Sequence, residues 1–165
     1  MGIDINAERW DKIKDVYGQW WNGELDRPLI PILVNGREPG REQPDTPYLT
    51  QGTCNDLTIS PDDLVDRIDY ELSRFYYLGD AFPYFNMDCF GPGIVAAFLG
   101  AYPDNSTGHV WFRPQKIMPI SELHFEYDPE NIWLNRIKDI CKAAMLLIWL
   151  AIRLNSSPEL SRGIL

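Results

Sequence analysis

The chain has 165 residues, which is room for one domain and hardly two. Its composition, 45% hydrophobic and 24% charged, excludes disordered and fibrous classes of protein. The formal net charge of −9 at pH 7 argues against a nucleic-acid binder, because contact with phosphates needs a basic face. Three widely spaced cysteines, Cys54, Cys89 and Cys141, fit a reducing compartment better than a disulfide framework, and residues 1–5 show no secretory signal. We therefore expect a cytoplasmic protein.

The N-terminal part of the chain predicts a helix followed by a strand. Residues 6–21 carry apolar side chains at spacings of three and four, and Asn6 is placed to cap that helix. Its aromatic stripe favours core packing, and the alternative is a stacking platform for a ring-shaped ligand. Residues 27–36 form an almost continuous apolar run, which predicts a buried strand. Pro31 cannot donate to a β-ladder, so it either weakens this strand or marks its first residues.

The middle of the chain predicts a loop, a helix and a second strand. Residues 36–60 are rich in Gly, Pro, Thr, Asn and Asp and predict a long loop of a kind that is usually functional or disordered. Ser60 and the proline after it begin a helix that we expect to reach Leu78. Residues 81–88 predict a second strand, and residues 94–99 predict a short helix.

The remaining elements complete an alternation of helices and strands. Residues 110–112 predict a third strand, residues 118–127 a fourth, and residues 128–130 the start of a last helix. Such alternation favours an α/β fold with a parallel sheet. A closed eight-stranded barrel needs about 250 residues, so a complete one does not fit in this chain.

Residues 79–88 are the most informative segment for chemistry. Asp88 follows the predicted strand, at the end of the sheet where α/β folds place reacting groups. The alternative is that Asp88 caps the short helix after it. A zinc site from Cys89, His109 and His124 would need three distant residues to meet, so we expect ordinary loop histidines and no metal.

Two sequence motifs resemble those of a known enzyme superfamily. The first is Asp80-Ala81, an apolar stretch that ends in Phe-x-x-Asp at Asp88, and a later segment over residues 97–101. It is similar to the Asp-Ala-Ala, Phe-Ser-Asp and Glu-Ala-Leu-Gly pattern of the uroporphyrinogen decarboxylase superfamily, which also includes methyltransferases. Asp88 matches the family's pocket aspartate, one residue further from Asp80 than in the family, and Asn86 takes the place of the family's Ser.

The second motif spans residues 28–37, whose sequence is PLIPILVNGR. The decarboxylases of the family carry Pro-Val-Trp-x-Met-Arg-Gln-Ala-Gly-Arg there, and both arginines of that motif bind substrate carboxylates. The closing Gly36-Arg37 is in step with the family motif, whereas Leu33 replaces the first arginine. Because leucine cannot pair with a carboxylate, this replacement puts the polycarboxylate porphyrinogen substrate in doubt.

The resemblance implies the N-terminal portion of a (β/α)8 TIM-type barrel, incomplete in this chain. It implies tetrapyrrole decarboxylation or related methyl transfer in the full-length family, with a tetrapyrrole-like substrate or a methyl donor as small-molecule partner. Asp88 would then be the catalytic carboxylate, and Arg37, Asn86 and Tyr84 would bind substrate. The decarboxylases need no cofactor, and the zinc-binding His-x-Cys of the methyltransferases has no counterpart here. The alternative is a small α/β binding or interaction module with an aromatic-rich ligand surface.

The sequence changes character near residue 144. Residues 145–152 are apolar on every side of a helix, and the tail after residue 141 carries a net charge of +2 against −11 for the rest. This run is about half the length of a membrane span, so we expect no membrane contact. We expect residues 1–144 to be a partial uroporphyrinogen decarboxylase-like domain and residues 145–165 to be unrelated sequence after a frameshift or early stop. The alternative is a genuine terminal helix that forms a homodimer.

An incomplete barrel predicts exposed apolar surface. Its last strand edge would be unpaired and one face of its sheet unclosed. Monomers seldom expose such surface in large patches. We therefore expect Trp20, Trp21 and Phe85 to be poorly covered, and the chain to be inactive alone.

Overall fold

The structure is a computed structural model that describes residues 2–106, 109–122 and 124–156. Of residues 87, 88 and 147–156 it describes the backbone but not the side chains. Within these ranges the chain divides into two units. The first unit consists of residues 2–44, 68–85 and 144–156, and the second consists of residues 45–67 and 86–143.

Five α-helices and four short strands make up the regular structure of the described residues. The helices are α1 (Ala7–Trp21), α2 (Gln51–Asn55), α3 (Pro61–Ser73), α4 (Ile94–Phe98) and α5 (Ile132–Ser156). The strands are β1 (Pro31–Asn35), β2 (Phe75–Gly79), β3 (Tyr102–Asp104) and β4 (Trp111–Arg113). The chain therefore mixes helices and strands, as the sequence predicts. However, β1 pairs with β2 and β3 with β4, both antiparallel, so the expected parallel sheet is wrong and the described strands close no barrel.

The sheet of the first unit includes a segment that was expected to be helical. α3 ends at Ser73 instead of reaching Leu78, and β2 follows it and pairs with β1 so that Pro31 lies opposite Gly79. The sequence Phe-Tyr-Tyr-Leu of β2 favours a strand, because aromatic side chains suit a pleated surface. Pairing with β1 also satisfies the backbone groups of both segments. This long-range pairing overrides the helical periodicity of the residues after Ser73.

Strand β1 is exposed rather than buried. It begins at Pro31, which confirms one of the two roles expected for that proline, but all five of its residues are exposed. The described sheet has two strands, so each strand keeps an unpaired edge and much of its surface stays open. Trp20 and Trp21 are 48% and 82% exposed, as expected, whereas Phe85 is partly buried.

The core of the first unit gathers around the N-terminal segment, α1 and β2. Trp10 and Tyr17 of α1 pack against this core, which confirms core packing for part of the aromatic stripe. Asn6 caps α1 as expected, since its Oδ1 accepts the backbone N–H of Arg9 at 2.8 Å. The buried residues of the core are Ile3, Ile5, Ile13, Tyr77 and Ala81.

Two of the expected strands do not form. Residues 81–86 are irregular, and Met87–Phe90 form a 3₁₀ helix. Pro83 lies inside the expected strand and removes a backbone donor, which disfavours a strand there. In the described part of residues 118–127 the structure has the 3₁₀ turn Ile120–Glu122 and no strand.

The second unit confirms several of the local predictions. α4 and the strand that begins at Trp111 lie where the sequence places them. Ser60 caps α3, since its Oγ accepts the N–H of Asp63 at 3.1 Å. α5 begins at Ile132, later than expected, because Asn131 Oδ1 accepts two backbone N–H groups of its first turn.

The last helix crosses the predicted change at residue 144 without a break. α5 continues to Ser156, and its Met145 and Leu146 are 66% and 61% exposed. The frameshift and homodimer interpretations of residues 145–165 therefore stay predictions, and residues 157–165 lie outside the described ranges. Within those ranges, no helix combines the length and the apolarity that crossing a bilayer requires.

Gly79 ends β2 in a conformation that favours glycine. Its φ is +59°, and a Cβ atom there would collide with the backbone oxygen of Ile30. We expect Gly79→Ala to lower the free energy of unfolding by about 2 kcal/mol or more, since the left-handed conformation alone costs roughly 1–2 kcal/mol. Urea denaturation measures this loss.

Gly18→Ala is the matched control for this substitution. Gly18 lies in α1 and has open space where a Cβ would be, so alanine should stabilise the helix by about 0.5–1 kcal/mol. Equal effects of the two substitutions would contradict the role assigned to Gly79.

Candidate functional site

A cavity with an apolar lining opens in the first unit beside α1, β1 and the segment after β2. Its volume is about 280 Å³. Three of the side chains that line it are aromatic rings, which suits a flat apolar ligand. We call it the aromatic cavity, and its lining residues are Tyr17, Pro31, Leu33, Ala81, Phe82 and Tyr84.

Phe82 is the central ring of the cluster beside this cavity. Its ring centroid lies 5.3 Å from that of Tyr17 and 6.0 Å from that of Tyr84. The Trp10 ring lies 5.9 Å from Phe82 and connects the cluster to the core. Trp10 and Tyr17 meet Phe82 edge-on, an arrangement that ring quadrupoles favour. These contacts hold the Phe82 ring in place, so this wall of the cavity is formed before any ligand arrives.

Asp80 anchors the start of residues 81–84, the segment that carries Phe82 and Tyr84. Its carboxylate oxygens accept both terminal nitrogens of Arg27, at 2.6 and 2.8 Å, and the backbone N–H of Ile30 at 2.8 Å. Asp80 is only 7% exposed, and the two-pronged contact with a guanidinium is the most directional ion pair available to a carboxylate. Because residues 81–84 follow directly, the same bonds position the residues that line the cavity.

The ionisation of Asp80 and Tyr17 follows from these contacts. The Arg27 guanidinium lowers the pKa of Asp80 most, the Ile30 N–H lowers it further, and burial opposes both, so the pKa falls to about 2. Burial, and then the negative charge of Asp80, raise the pKa of Tyr17. The Tyr17 phenol therefore stays protonated at neutral pH and keeps an O–H donor for a ligand.

Of the residues predicted to bind substrate, Tyr84 lines the aromatic cavity and Arg37 lies elsewhere in the first unit. Arg37 donates to the carbonyl oxygens of Gly2 at 3.0 Å and Ser73 at 2.7 Å. It also lines a separate cavity of about 470 Å³ together with Arg9. The guanidinium of Arg37 thus ties the N-terminal segment to the end of α3, which is a structural role.

The other two predicted residues, Asn86 and Asp88, belong to the second unit. Asn86 is exposed. The backbone of Asp88 lies in the 3₁₀ helix Met87–Phe90, so its expected place at the end of a strand is wrong. The side chain of Asp88 lies outside the described part of the structure, and its catalytic role stays a prediction.

Four site residues were given no role by the sequence motifs: Asp80 and Phe82 lie inside the first motif, and Tyr17 and Arg27 lie outside both. Arg27 and Asp80 are 53 residues apart, and no local pattern links them. The aromatic stripe of α1 carried a signal for Tyr17, because a ring-binding platform was the alternative to core packing. Tyr17 packs against the core and also lines the cavity, so ring binding stays a prediction.

Neither a group of metal ligands nor a similar protein indicates what this site binds. Among the side chains that the structure describes, no group of three or more His, Cys, Asp and Glu could hold a metal ion. No family model, curated protein or solved structure matches this chain. Its function is therefore inferred from the geometry of each unit together with the sequence motifs.

The low pKa of Asp80 makes part of the stability depend on pH. The folded value of about 2 lies below the unfolded value of about 3.9, so the stabilisation is complete above about pH 5 and is lost as pH falls towards 2. Wild type should exceed Asp80→Asn in free energy of unfolding at neutral pH, and this difference should shrink as the solution is acidified through that range. Urea denaturation at several pH values measures the difference.

Asp11→Asn is the control for effects of low pH that do not depend on Asp80. The Asp11 side chain is 70% exposed and pairs with Lys14 at the surface, so its loss should change stability little at any pH. A difference between wild type and Asp80→Asn that does not vary with pH would contradict the ionisation assigned to Asp80.

Proposed function

We propose that the aromatic cavity binds a small, flat, mostly apolar ring compound, and that the chain is a divergent relative of the uroporphyrinogen decarboxylase superfamily. The observation that carries the ligand class is the lining of the cavity. It consists of three aromatic and three aliphatic side chains, and none of the described residues that line it is charged. Such a surface gains free energy by covering apolar rings and offers little to a polyanion.

The volume of the cavity limits the size of the ligand. Small-molecule sites measure roughly 300–1,000 Å³. The aromatic cavity, at about 280 Å³, lies just below the lower end of that range. One ring or two fused rings suit such a space, whereas a tetrapyrrole would insert only one edge. The Tyr17 hydroxyl adds a hydrogen-bond donor, which would orient a ligand that carries one acceptor atom.

Both sequence motifs contribute side chains to this cavity, which supports the proposed family relationship. Leu33 comes from the motif over residues 28–37, and Ala81 and Tyr84 come from the motif over residues 80–88. In the family, the position of Leu33 is a carboxylate-binding arginine. Here it is part of an apolar wall, so the ligand that we propose lacks the carboxylates of a porphyrinogen.

We propose the family relationship for the two sequence motifs and not for the arrangement of their strands. β1 and β2 pair antiparallel, whereas neighbouring strands of a (β/α)8 barrel are parallel. Tetrapyrrole decarboxylation or methyl transfer in a longer family-like protein would use Asp88 as its pocket carboxylate. We propose binding rather than reaction for this chain, because Arg37 is engaged by backbone carbonyls and Leu33 replaces the other arginine.

Titration with indole, followed by NMR, tests the proposed ligand class. We expect wild type to bind indole with the largest shifts at the rings of Tyr17, Phe82 and Tyr84. Tyr84→Ala removes one ring contact, worth about 0.5–1.5 kcal/mol, so the Kd for indole should rise roughly two- to twelvefold.

Tyr127→Ala is the matched control for this titration. Tyr127 is 75% exposed and belongs to the second unit, so its loss should leave the Kd for indole unchanged. Equal weakening by the two substitutions, shifts confined to the second unit, or no binding by wild type would each contradict the proposal.

A further inference from the structure

Two cysteine thiols meet in the second unit. Cys54 belongs to α2, and Cys89 belongs to the 3₁₀ helix Met87–Phe90. These two elements pack against each other, and the two thiols, which are not in a disulfide, share a hydrogen bond. Their sequence spacing fits no redox motif, so the fold alone brings them together.

The two thiols differ in their access to solvent. Cys54 is 2% exposed and Cys89 is partly exposed. A reagent in solution can therefore reach Cys89 while Cys54 stays shielded. This places an accessible thiol in front of a buried one, the arrangement that lets the second thiol resolve a mixed disulfide formed on the first.

A buried cation acts on this pair of cysteines. Arg136 of α5 is 6% exposed and donates to the backbone carbonyl of Asp56 at 3.0 Å. Its Nε has no hydrogen-bond partner among the described residues. Burial lowers the pKa of Arg136, and the negative charge of Cys54 is the first influence that opposes this. A buried guanidinium of this kind favours negative charge on a neighbouring sulfur.

The ionisation of Cys54 follows from both neighbours. The hydrogen bond from Cys89 lowers the pKa of Cys54 most, burial raises it, and the Arg136 guanidinium adds a smaller lowering. The net direction is downward, so the pair loses its first proton more readily than an ordinary thiol. Thiolates, not thiols, are the species that attack disulfides.

We propose that Cys54 and Cys89 form a reversible disulfide by exchange with a low-molecular-weight disulfide. As the Cys89 sulfur attacks one sulfur of the small disulfide, the one proton left on the pair moves along the hydrogen bond from Cys89 to Cys54, and a small thiolate leaves. Cys54 then attacks the Cys89 sulfur, and the second small thiol leaves with that proton. The protein gives up two electrons, and the small disulfide is reduced to a thiol and a thiolate. The new bond would join α2 to the 3₁₀ helix Met87–Phe90.

Reaction of the Cys141→Ser chain with oxidised glutathione tests this proposal. Cys141 is exposed, so its removal excludes mixed pairings while both members of the proposed pair remain. After the reaction, the remaining thiols are alkylated and the peptides are mapped by mass spectrometry. We expect a peptide pair linked through Cys54 and Cys89 that retains no glutathione, and dithiothreitol should restore both thiols.

A second variant separates the two steps of the exchange. Cys54→Ser in the Cys141→Ser background should stop at a glutathione adduct on Cys89, because the resolving thiol is missing. Two results with the Cys141→Ser chain would overturn the proposal. One is glutathione retained on Cys89 while Cys54 stays a thiol. The other is no reaction of either cysteine under conditions that modify Cys141 in wild type.

Discussion

The contact between Arg27 and Asp80 joins the two segments from which the sheet and the aromatic cavity of the first unit are built. Asp80 accepts three hydrogen bonds, two from the guanidinium and one from the Ile30 backbone, while it is almost fully buried. An exposed ion pair contributes little, but a buried carboxylate that loses its partner is left with an uncompensated charge. Residues 81–84 leave the sheet at this point, so the position of the cavity depends on the same bonds.

Several arginines of the described residues donate to backbone carbonyls and so connect distant segments of the chain. The chain has long segments without regular structure, and their buried carbonyl groups need donors. Four arginines donate to one or two backbone carbonyls that lie far away in the sequence. The pairs are Arg9 with Ala81, Arg37 with Gly2 and Ser73, Arg67 with Thr46, and Arg136 with Asp56. This explains why an arginine that matches a substrate-binding motif, Arg37, has a structural role here.

Local patterns predicted much of the fold, and long-range contacts decided the rest. The caps at Asn6 and Ser60, and the strand start at Pro31, depend on neighbouring residues and were predictable. β2 was not, because the strand that pairs with it lies far away in the sequence and its own residues also fit a helix. Tyr84 was predicted from a motif, whereas the Arg27–Asp80 pair and the thiol pair needed the fold. In each of these pairs the two side chains are brought together by tertiary contacts that no spacing rule describes.

We propose that Leu33, which aligns with an arginine of the family motif, makes the aromatic cavity a site for apolar rings. Binding of indole and of uroporphyrin, a polycarboxylate tetrapyrrole, to wild type and to Leu33→Arg tests it most directly. Leu33 is 46% exposed, so the longer side chain can be accommodated. We expect wild type to bind indole and not uroporphyrin, and Leu33→Arg to lose affinity for indole and gain affinity for uroporphyrin. Unchanged indole affinity in Leu33→Arg, or equal binding of uroporphyrin by both proteins, would contradict this role of Leu33.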